Sequence, residues 1–307
     1  MRAVIFAYHN VGHRCLSVLL AHGVEVALVV THRDNPAERI WFESVRALAQ
    51  LHGLPVATPD DPNTPEFIAR IAALEPDLLF SFYYRQMLAA ELLAIPTRGA
   101  LNMHGSLLPR YRGRVPVNWA VIKGERETGA TLHYMVEKPD AGDIVVQQAV
   151  PILPDDTAFD VFNKVTVAAE MALDRILPPL LAGTAPRVPQ DLARGSYFGG
   201  RKPEDGRIDW RRSAAEIHNL IRGVAPPYPG AFSDVGGRRI RVLRSLVPHE
   251  QPTRIGFPAL YCADGRCYAE CGDGNALRIL SMDVDGTMLD QRTFEQTGSA
   301  PPVRLLN

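Results

Sequence analysis

The sequence predicts an α/β protein in two parts: a Rossmann-like domain with a mostly parallel sheet, then a small β-rich, barrel-like domain. Three observations carry this. Short, continuously apolar runs alternate with longer amphipathic ones through the first half, the pattern of parallel strands covered on both faces by helices. The texture changes after about residue 190. Beyond it, Gly236-Gly237, Asp264-Gly265, Asp273-Gly274 and Asp285-Gly286 punctuate strand-like pieces, as expected of antiparallel hairpins.

Taken in order, Ala3 to Ala7 and Val24 to Val30 read as buried strands, with a helix over Cys15 to Ala21 between them. Apolar residues Ile40, Val45, Leu48 and Leu51 recur at helical spacing, which predicts a helix over 37–51. Thr64 to Leu74 is a further helix, Leu78 to Phe82 a further strand, and Ala100 to Met103 a short strand running into a loop. Ala130 to Val136 and Gly142 to Val150 read as strands about a tight turn. Phe159 to Leu181 reads as a long helix stopped by Gly183 and Pro186. Gly199-Gly200 and the run from Lys202 to Gly206 are linker chemistry. The domains are therefore drawn as 1–203 and 204–307, with a helix over Ala214 to Gly223 opening the second.

Composition narrows the function. The 307 residues are 46% hydrophobic, ample for two cores. Lys and Arg (33) nearly balance Asp and Glu (34), so the bulk basic excess of a nucleic-acid binder is missing. The start, MRAVIFAYHN, has no signal-peptide core, and no run of 18 apolar residues occurs. A cytoplasmic protein without nucleic-acid or membrane partners is expected, and an oligomer is compatible with the sequence. Four cysteines are too few for a disulfide scaffold. Cys262, Cys267 and Cys271 lack a nearby fourth ligand, so no metal site is expected. Neither a dinucleotide fingerprint nor a P-loop is present.

The chemistry concentrates in Leu101-Asn-Met-His-Gly-Ser-Leu-Leu-Pro-Arg-Tyr-Arg-Gly113. Residues two apart on a strand share a face, so Asn102 and His104 project together where parallel sheets bind ligands, beyond the strand ends. An amide can donate to a developing oxyanion, and an imidazole exchanges protons near neutral pH. Asp140, in Asp140-Ala-Gly142, is either an ordinary turn residue or a carboxylate that sets the state of His104. Spacing alone does not choose between these.

The whole stretch, Asn-x-His-Gly-Ser-Leu-Leu-Pro-x-Tyr-Arg-Gly followed by Asp-x-Gly, resembles the N10-formyltetrahydrofolate-dependent formyltransferases. The resemblance continues through Phe198-Gly199, Asp209-Trp210 and the run Pro227 to Phe232. Phe6 to His9, Thr31 to Pro36, Phe80 to Arg85 and Tyr111 to Trp119 are most similar to the branch that formylates UDP-4-amino-4-deoxy-L-arabinose. That branch serves lipid A modification and polymyxin resistance. Members of it continue into a second enzyme module, which would begin about where this sequence ends, at Asn307; a stand-alone protein and a fragment are both compatible with that. Methionyl-tRNA formyltransferases share the catalytic trio but carry a longer basic loop. Here the matching stretch, Asp34 to Ser44, is short and near neutral, which argues against tRNA. A formyl-folate hydrolase, or a non-catalytic protein that binds folate or a sugar nucleotide, would also be compatible with these residues.

The resemblance implies acyl transfer, with Asn102, His104 and Asp140 as catalytic residues. It implies a folate site along Gln86, Met87 and Leu88, the run Val136, Glu137, Lys138, Pro139 and Asp140, and Arg114. N10-formyltetrahydrofolate would be the co-substrate and a UDP-amino sugar the acceptor. Tyr8, His9, Asn10 and Arg112 are candidates for touching the sugar nucleotide. Arg85, Arg98, Arg110, Arg112 and Arg114 face a single acid, Glu91, between residues 85 and 114, and some could hold a diphosphate or a glutamate tail.

Overall fold

The structure is a computed structural model describing residues 1–38, 40–297 and 299–305. In chain order the elements are β1 (Arg2–Ala7), α1 (His9–Ala21), β2 (Glu25–Val30), α2 (Val45–Leu51), β3 (Val56–Ala57), α3 (Pro65–Ala72), β4 (Leu78–Phe82), α4 (Ala90–Leu93), β5 (Ala100–His104), β6 (Arg112–Gly113), α5 (Pro116–Ile122), β7 (Glu127–Tyr134), β8 (Ile144–Pro151), α6 (Ala158–Ala182), β9 (Tyr197–Phe198) and α7 (Ala214–Gly223). Strands β10 (Ala231–Val235), β11 (Arg238–Leu246), β12 (Ala259–Ala263), β13 (Arg266–Glu270), β14 (Ala276–Val284) and β15 (Thr287–Asp290) follow, then α8 (Gln291–Thr297) and β16 (Ala300–Arg304). No helix among the described residues is long and apolar enough to cross a membrane.

The chain divides into two compact units. The first comprises 1–116, 127–150 and 162–199; the second comprises 117–126, 151–161 and 200–307.

The first unit is built on a seven-stranded sheet ordered β3-β2-β1-β4-β5-β7-β8. The pairs from β3 through β5 are parallel, and β7 runs antiparallel to β5. Central strands carry apolar residues on both faces: every residue of β4 is buried, as are Ala3 to Ala7 of β1. One face packs Val4, Phe6, Leu28, Val30 and Leu79 with Phe67, Ile71, Leu88 and Leu92. The helix α3 starts where Thr64 Oγ1 accepts from Phe67 N at 3.3 Å with proline following, a standard N-terminal signal. Strand order reverses between β1 and β4, and open sheets of this kind bind ligands outside the carboxyl ends of the strands beside such a reversal.

One expected element is shorter than its sequence pattern. The helix expected over 37–51 begins only at Val45, capped by Ser44 Oγ accepting from Ala47 N; Arg39 lies outside the described residues. The preceding residues form a loop because Trp41 and Phe42 pack against His9 rather than along a helix face. Of the four apolar residues at helical spacing only Ile40 falls outside the helix, and it is 38% exposed.

The second unit holds an antiparallel sheet ordered β10-β11-β14-β13-β12-β16, with β15 also paired to β14. Its hairpins turn at Gly236-Gly237, Asp264-Gly265 and Asp285-Gly286, all with positive φ, as two-residue primed turns need. The helix α7 is opened by a reciprocal Ser213–Glu216 capping box. It packs Ile217 and Ile221 against Val242, Leu277 and Ile279.

Beside the β7–β8 turn, Gly142 is held by close approach: an added Cβ would lie 2.0 Å from the Tyr134 carbonyl oxygen. Backbone rather than a flexible side chain is in the way, so the turn itself must shift. Gly142→Ala is expected to destabilise the protein by about 1–3 kcal/mol, the usual cost of overpacking. A thermal melt showing an unchanged midpoint would contradict this.

Candidate active site

Strand β5 supplies two polar side chains on one face. Leu101 and Met103 are buried at 0% and 1% exposure on the other face, which leaves Asn102 and His104 together. Strand β7 completes that face, because its register sets His133 opposite Asn102 and Thr131 opposite His104. The turn after β5 then folds back. Ser106 Oγ donates to the Arg110 carbonyl at 2.7 Å and to the Tyr111 carbonyl at 3.3 Å. Ser106's own carbonyl accepts from Thr131 Oγ1 at 2.6 Å. This fixes Tyr111 O where His104 Nε2 donates to it at 2.8 Å.

Asp140 enters from the β7–β8 turn in the left-handed region, at φ 53°, a conformation Asp tolerates better than most residues. Gln190 pins this turn by donating to the carbonyls of Asp140 and Gly142 at 3.1 and 2.6 Å. The Asp140 carboxylate accepts from Gly113 N at 2.8 Å. Its other oxygen lies 3.5 Å from His104 Nδ1 and 3.6 Å from His133 Nε2. Thus Asp140, remote in sequence from Asn102 and His104, comes beside His104, and His133 lies between it and the Asn102 amide.

Burial raises the Asp140 pKa, but His104, His133 and the Gly113 N–H more than offset it and hold the carboxyl below the usual carboxylate range. Burial pulls His104 below its ordinary value; Asp140 and the Tyr111 bond oppose this, and His133 adds to it. At neutral pH the pair is therefore a carboxylate beside a neutral imidazole. With the Nε2 proton committed to Tyr111, Nδ1 carries the lone pair and faces the carboxylate. A proton arriving at Nδ1 would be held between the two groups.

His133 was not singled out by the sequence. Its Nδ1 donates to the Tyr134 carbonyl at 2.8 Å, so Nε2 accepts from Asn102 Nδ2 at 3.1 Å. This orients the Asn102 amide and leaves it a second N–H. The signal that could have found it is strand alternation: residues 131 and 133 sit on the face that pairs with 102 and 104. Gly113 escaped for a different reason, since it contributes only a main-chain N–H. At φ 97°, with the Phe198 carbonyl 2.1 Å from where a Cβ would sit, only glycine fits there.

The remaining expected residues are distributed as follows. Gln86 is exposed, with Nε2 donating to the Asp60 carbonyl at 2.7 Å. Met87 is 58% exposed, while Leu88 turns its side chain into the core at 5%. Val136, Glu137 and Lys138 are exposed, Pro139 is half-buried and Arg114 is exposed. Leu88 and Met135 pack in one cluster, so the segments 86–88 and 136–140 start from a common anchor. Arg112 is buried, with Nε unpartnered among the described residues.

Tyr8, His9 and Asn10 belong to a separate aromatic group beyond β1. Tyr8 Oη donates to Asp34 at 2.7 Å, and Asn10 Oδ1 accepts from Glu43 N at 2.8 Å. The His9 ring stacks on Phe42 with centroids 4.0 Å apart and lies edge-on to Trp41 and Phe162. Burial, aided by the charge of Arg85, pulls His9 down to about 3 and His32 down to about 4. Among the described residues this group makes no hydrogen bond to Asn102, His104 or Asp140. No group of three or more His, Cys, Asp or Glu among the described residues is arranged to hold a metal ion.

Residues 6–177 match the family model described as formyl transferase, and residues 201–296 match that of the formyl transferase C-terminal domain. Solved structures are similar over most of the chain. An N-formyltransferase from Helicobacter canadensis, in complex with folinic acid and dTDP-3-aminofucose, is 20% identical with a TM-score of 0.72, covering 90% of this chain and 98% of that one. WlaRD, a sugar 3N-formyl transferase studied with dTDP and 5-N-formyl-THF, is 19% identical with a TM-score of 0.73, covering 91% and 97%. HypX from Aquifex aeolicus, in complex with tetrahydrofolic acid, is 20% identical with a TM-score of 0.63, covering 95% of this chain and 46% of that one. At these identities the structures establish a shared fold. The family match spans more than half of the sequence and includes the β5 motif and Asp140, and on that ground the chain belongs to the formyl transferase family and is a formyl-transferring enzyme.

Proposed function

We propose that this enzyme transfers the formyl group of N10-formyltetrahydrofolate to the amine of a nucleotide-linked amino sugar, with UDP-4-amino-4-deoxy-L-arabinose as the acceptor. The observation that carries the chemistry is the meeting of His104 and Asp140, 3.5 Å apart, beside an amide held by His133. The acceptor class is supported by the two sugar formyltransferases of the same fold. The short Asp34–Ser44 loop, with few basic residues, favours a small acceptor over tRNA.

In this reading the acceptor amine, unprotonated, attacks the formyl carbon. The second N–H of Asn102 donates to the carbonyl oxygen as it becomes an oxyanion. His104 accepts the proton released by the amine at Nδ1, where the Asp140 carboxylate stabilises the resulting imidazolium. The carbon–N10 bond then breaks and the proton passes to the departing nitrogen, so no charge is left over. The folate is seated against Met87 and Val136, which expose apolar surface suited to a flat ring. Main-chain groups of 86–88 and 136–140 can read its polar edge. Arg112 and Arg114 are the cations for an anionic group of either substrate.

The direct test follows product mass with formyl donor and UDP-4-amino-4-deoxy-L-arabinose, a dTDP-amino sugar, methionyl-tRNA or no acceptor in parallel. Gain of one formyl group on the UDP sugar is expected. Formylation of tRNA alone, or donor hydrolysis alone, would overturn the acceptor assignment.

Two further outcomes concern the residues. Asn102→Ala should lower kcat by roughly 10²- to 10³-fold, as for other lost oxyanion donors. His104→Ala should lower it by about 10²- to 10⁴-fold. Folate binding measured by fluorescence should persist in both, because neither side chain is assigned to hold the pterin.

The pH dependence has a definite sign. Burial depresses the His104 pKa, so the acid limb of kcat should fall below the ordinary histidine value of about 6.5. Asp140 opposes that depression. Asp140→Asn should therefore move the limb to still lower pH while reducing the maximal rate. A limb that moves upward would show that His104 is not the titrating base.

A further inference from the structure

Cys262 and Cys267 are direct cross-strand partners in the β12–β13 hairpin. The strands turn through Asp264 and Gly265, with φ of 51° and 70°, the two left-handed residues of a type I′ turn. In such a hairpin the pair flanking the turn, Ala263 and Arg266, exchanges hydrogen bonds. The next pair, Cys262 and Cys267, is then a non-hydrogen-bonded one, where the backbones come within about 4.5 Å and side chains face most closely. That lies inside the roughly 4.4–6.8 Å Cα separation a disulfide requires. Both side chains pack on the same core cluster of the second unit. On the neighbouring positions, Tyr261 and Tyr268 stack with ring centroids 5.6 Å apart and brace the register.

The four thiols differ sharply in access. Cys15, Cys267 and Cys271 are 0%, 1% and 1% exposed, whereas Cys262 is partly open to solvent. Burial pushes Cys15 and Cys271 up, Cys271 to about 12. Burial, with Cys262 nearby, pushes Cys267 up as well. One reachable thiol is thus backed by a second one directly opposite. A lone exposed thiol would stop at a mixed disulfide; this one has a resolving partner across the hairpin.

We propose that Cys262 and Cys267 form an oxidative modification site, closing to a reversible cross-strand disulfide with a low-molecular-weight disulfide such as oxidised glutathione. The Cys262 thiolate attacks one sulfur of the oxidant. The oxidant's S–S bond breaks, one glutathione leaves as thiolate, and a mixed disulfide remains on Cys262. Cys267, after losing its proton to solvent, attacks the Cys262 sulfur and expels the second glutathione. The protein loses two thiol hydrogens and the oxidant is reduced to two thiols. The buried thiol makes the second step the slower one.

The test uses the full chain with oxidised glutathione at mildly alkaline pH, read by intact mass and by alkylation of remaining thiols after denaturation. Loss of two hydrogens is expected, with Cys15 and Cys271 still alkylatable and the original mass restored by dithiothreitol. Trypsin cuts after Arg266, between the two cysteines, so the disulfide would join two peptides that otherwise separate. Cys267→Ser should stop at one glutathione adduct on Cys262, and Cys262→Ser should remain unmodified. A persistent glutathione adduct on the unaltered protein, modification of Cys15 or Cys271 instead, or no change in mass would each overturn the proposal. The readouts on the unaltered chain decide it even if a variant folds poorly.

Discussion

A carboxylate kept charged away from water is the constraint around which the site is organised. Asp140 is 15% exposed at its side chain, and an unpartnered charge there would cost several kcal/mol. Its surroundings answer that cost piece by piece. The Gly113 N–H donates to one oxygen, and the other lies 3.5 and 3.6 Å from ring nitrogens of His104 and His133, so that a proton taken up by either ring is held against the charge. Three backbone oddities follow from the same need. Asp140 adopts the left-handed region, Gly113 does so against the Phe198 carbonyl, and Gly142 lies tight against the Tyr134 carbonyl. Ser106, Tyr111 and Gln190 then hold these turns in place.

The sheet explains why the site has two histidines rather than one. The parallel core ends at β5, and β7 enters antiparallel beside it. That reversal sets residues of β7 directly across from those of β5 near the carboxyl end of the latter. His133 thereby reaches both Asn102 and Asp140. Its main-chain bond to Tyr134 fixes which ring nitrogen is free to receive the amide. The amide is thereby held in one orientation, which is what the role proposed for it, a preorganised donor, requires.

Much of this was legible in the residues. Apolar runs located the central strands, and Asn102 and His104 were readable as one face because alternation along a strand is purely local. The Asp-x-Gly turn was legible as a turn; its approach to His104 was not, since that depends on how β7 and β8 pair. His133 stayed hidden for the same reason: register between strands is a tertiary property. The helix expected over 37–51 failed at its first half because Trp41 and Phe42 pack on His9 while Ile40, counted in the periodicity, is exposed. Periodicity counts apolar residues without knowing what they cover. Leu88 shows the complementary limit, since its neighbour Met87 points outward and the sequence alone ranks them alike.

The second unit is discontinuous along the chain, and this bears on synthesis. Its segments 117–126 and 151–161 leave the ribosome well before residues 200–305. Asn118 is held by the Gly223 carbonyl, while His218 and Arg222 are tied to Pro154, Leu153 and Asp156. Those early stretches therefore wait, their polar groups hydrated, until α7 has been made. A nascent chain halted just past the first unit carries two orphaned strips, and recombination that exchanges only the portion after residue 200 would inherit strips fitted to a different partner.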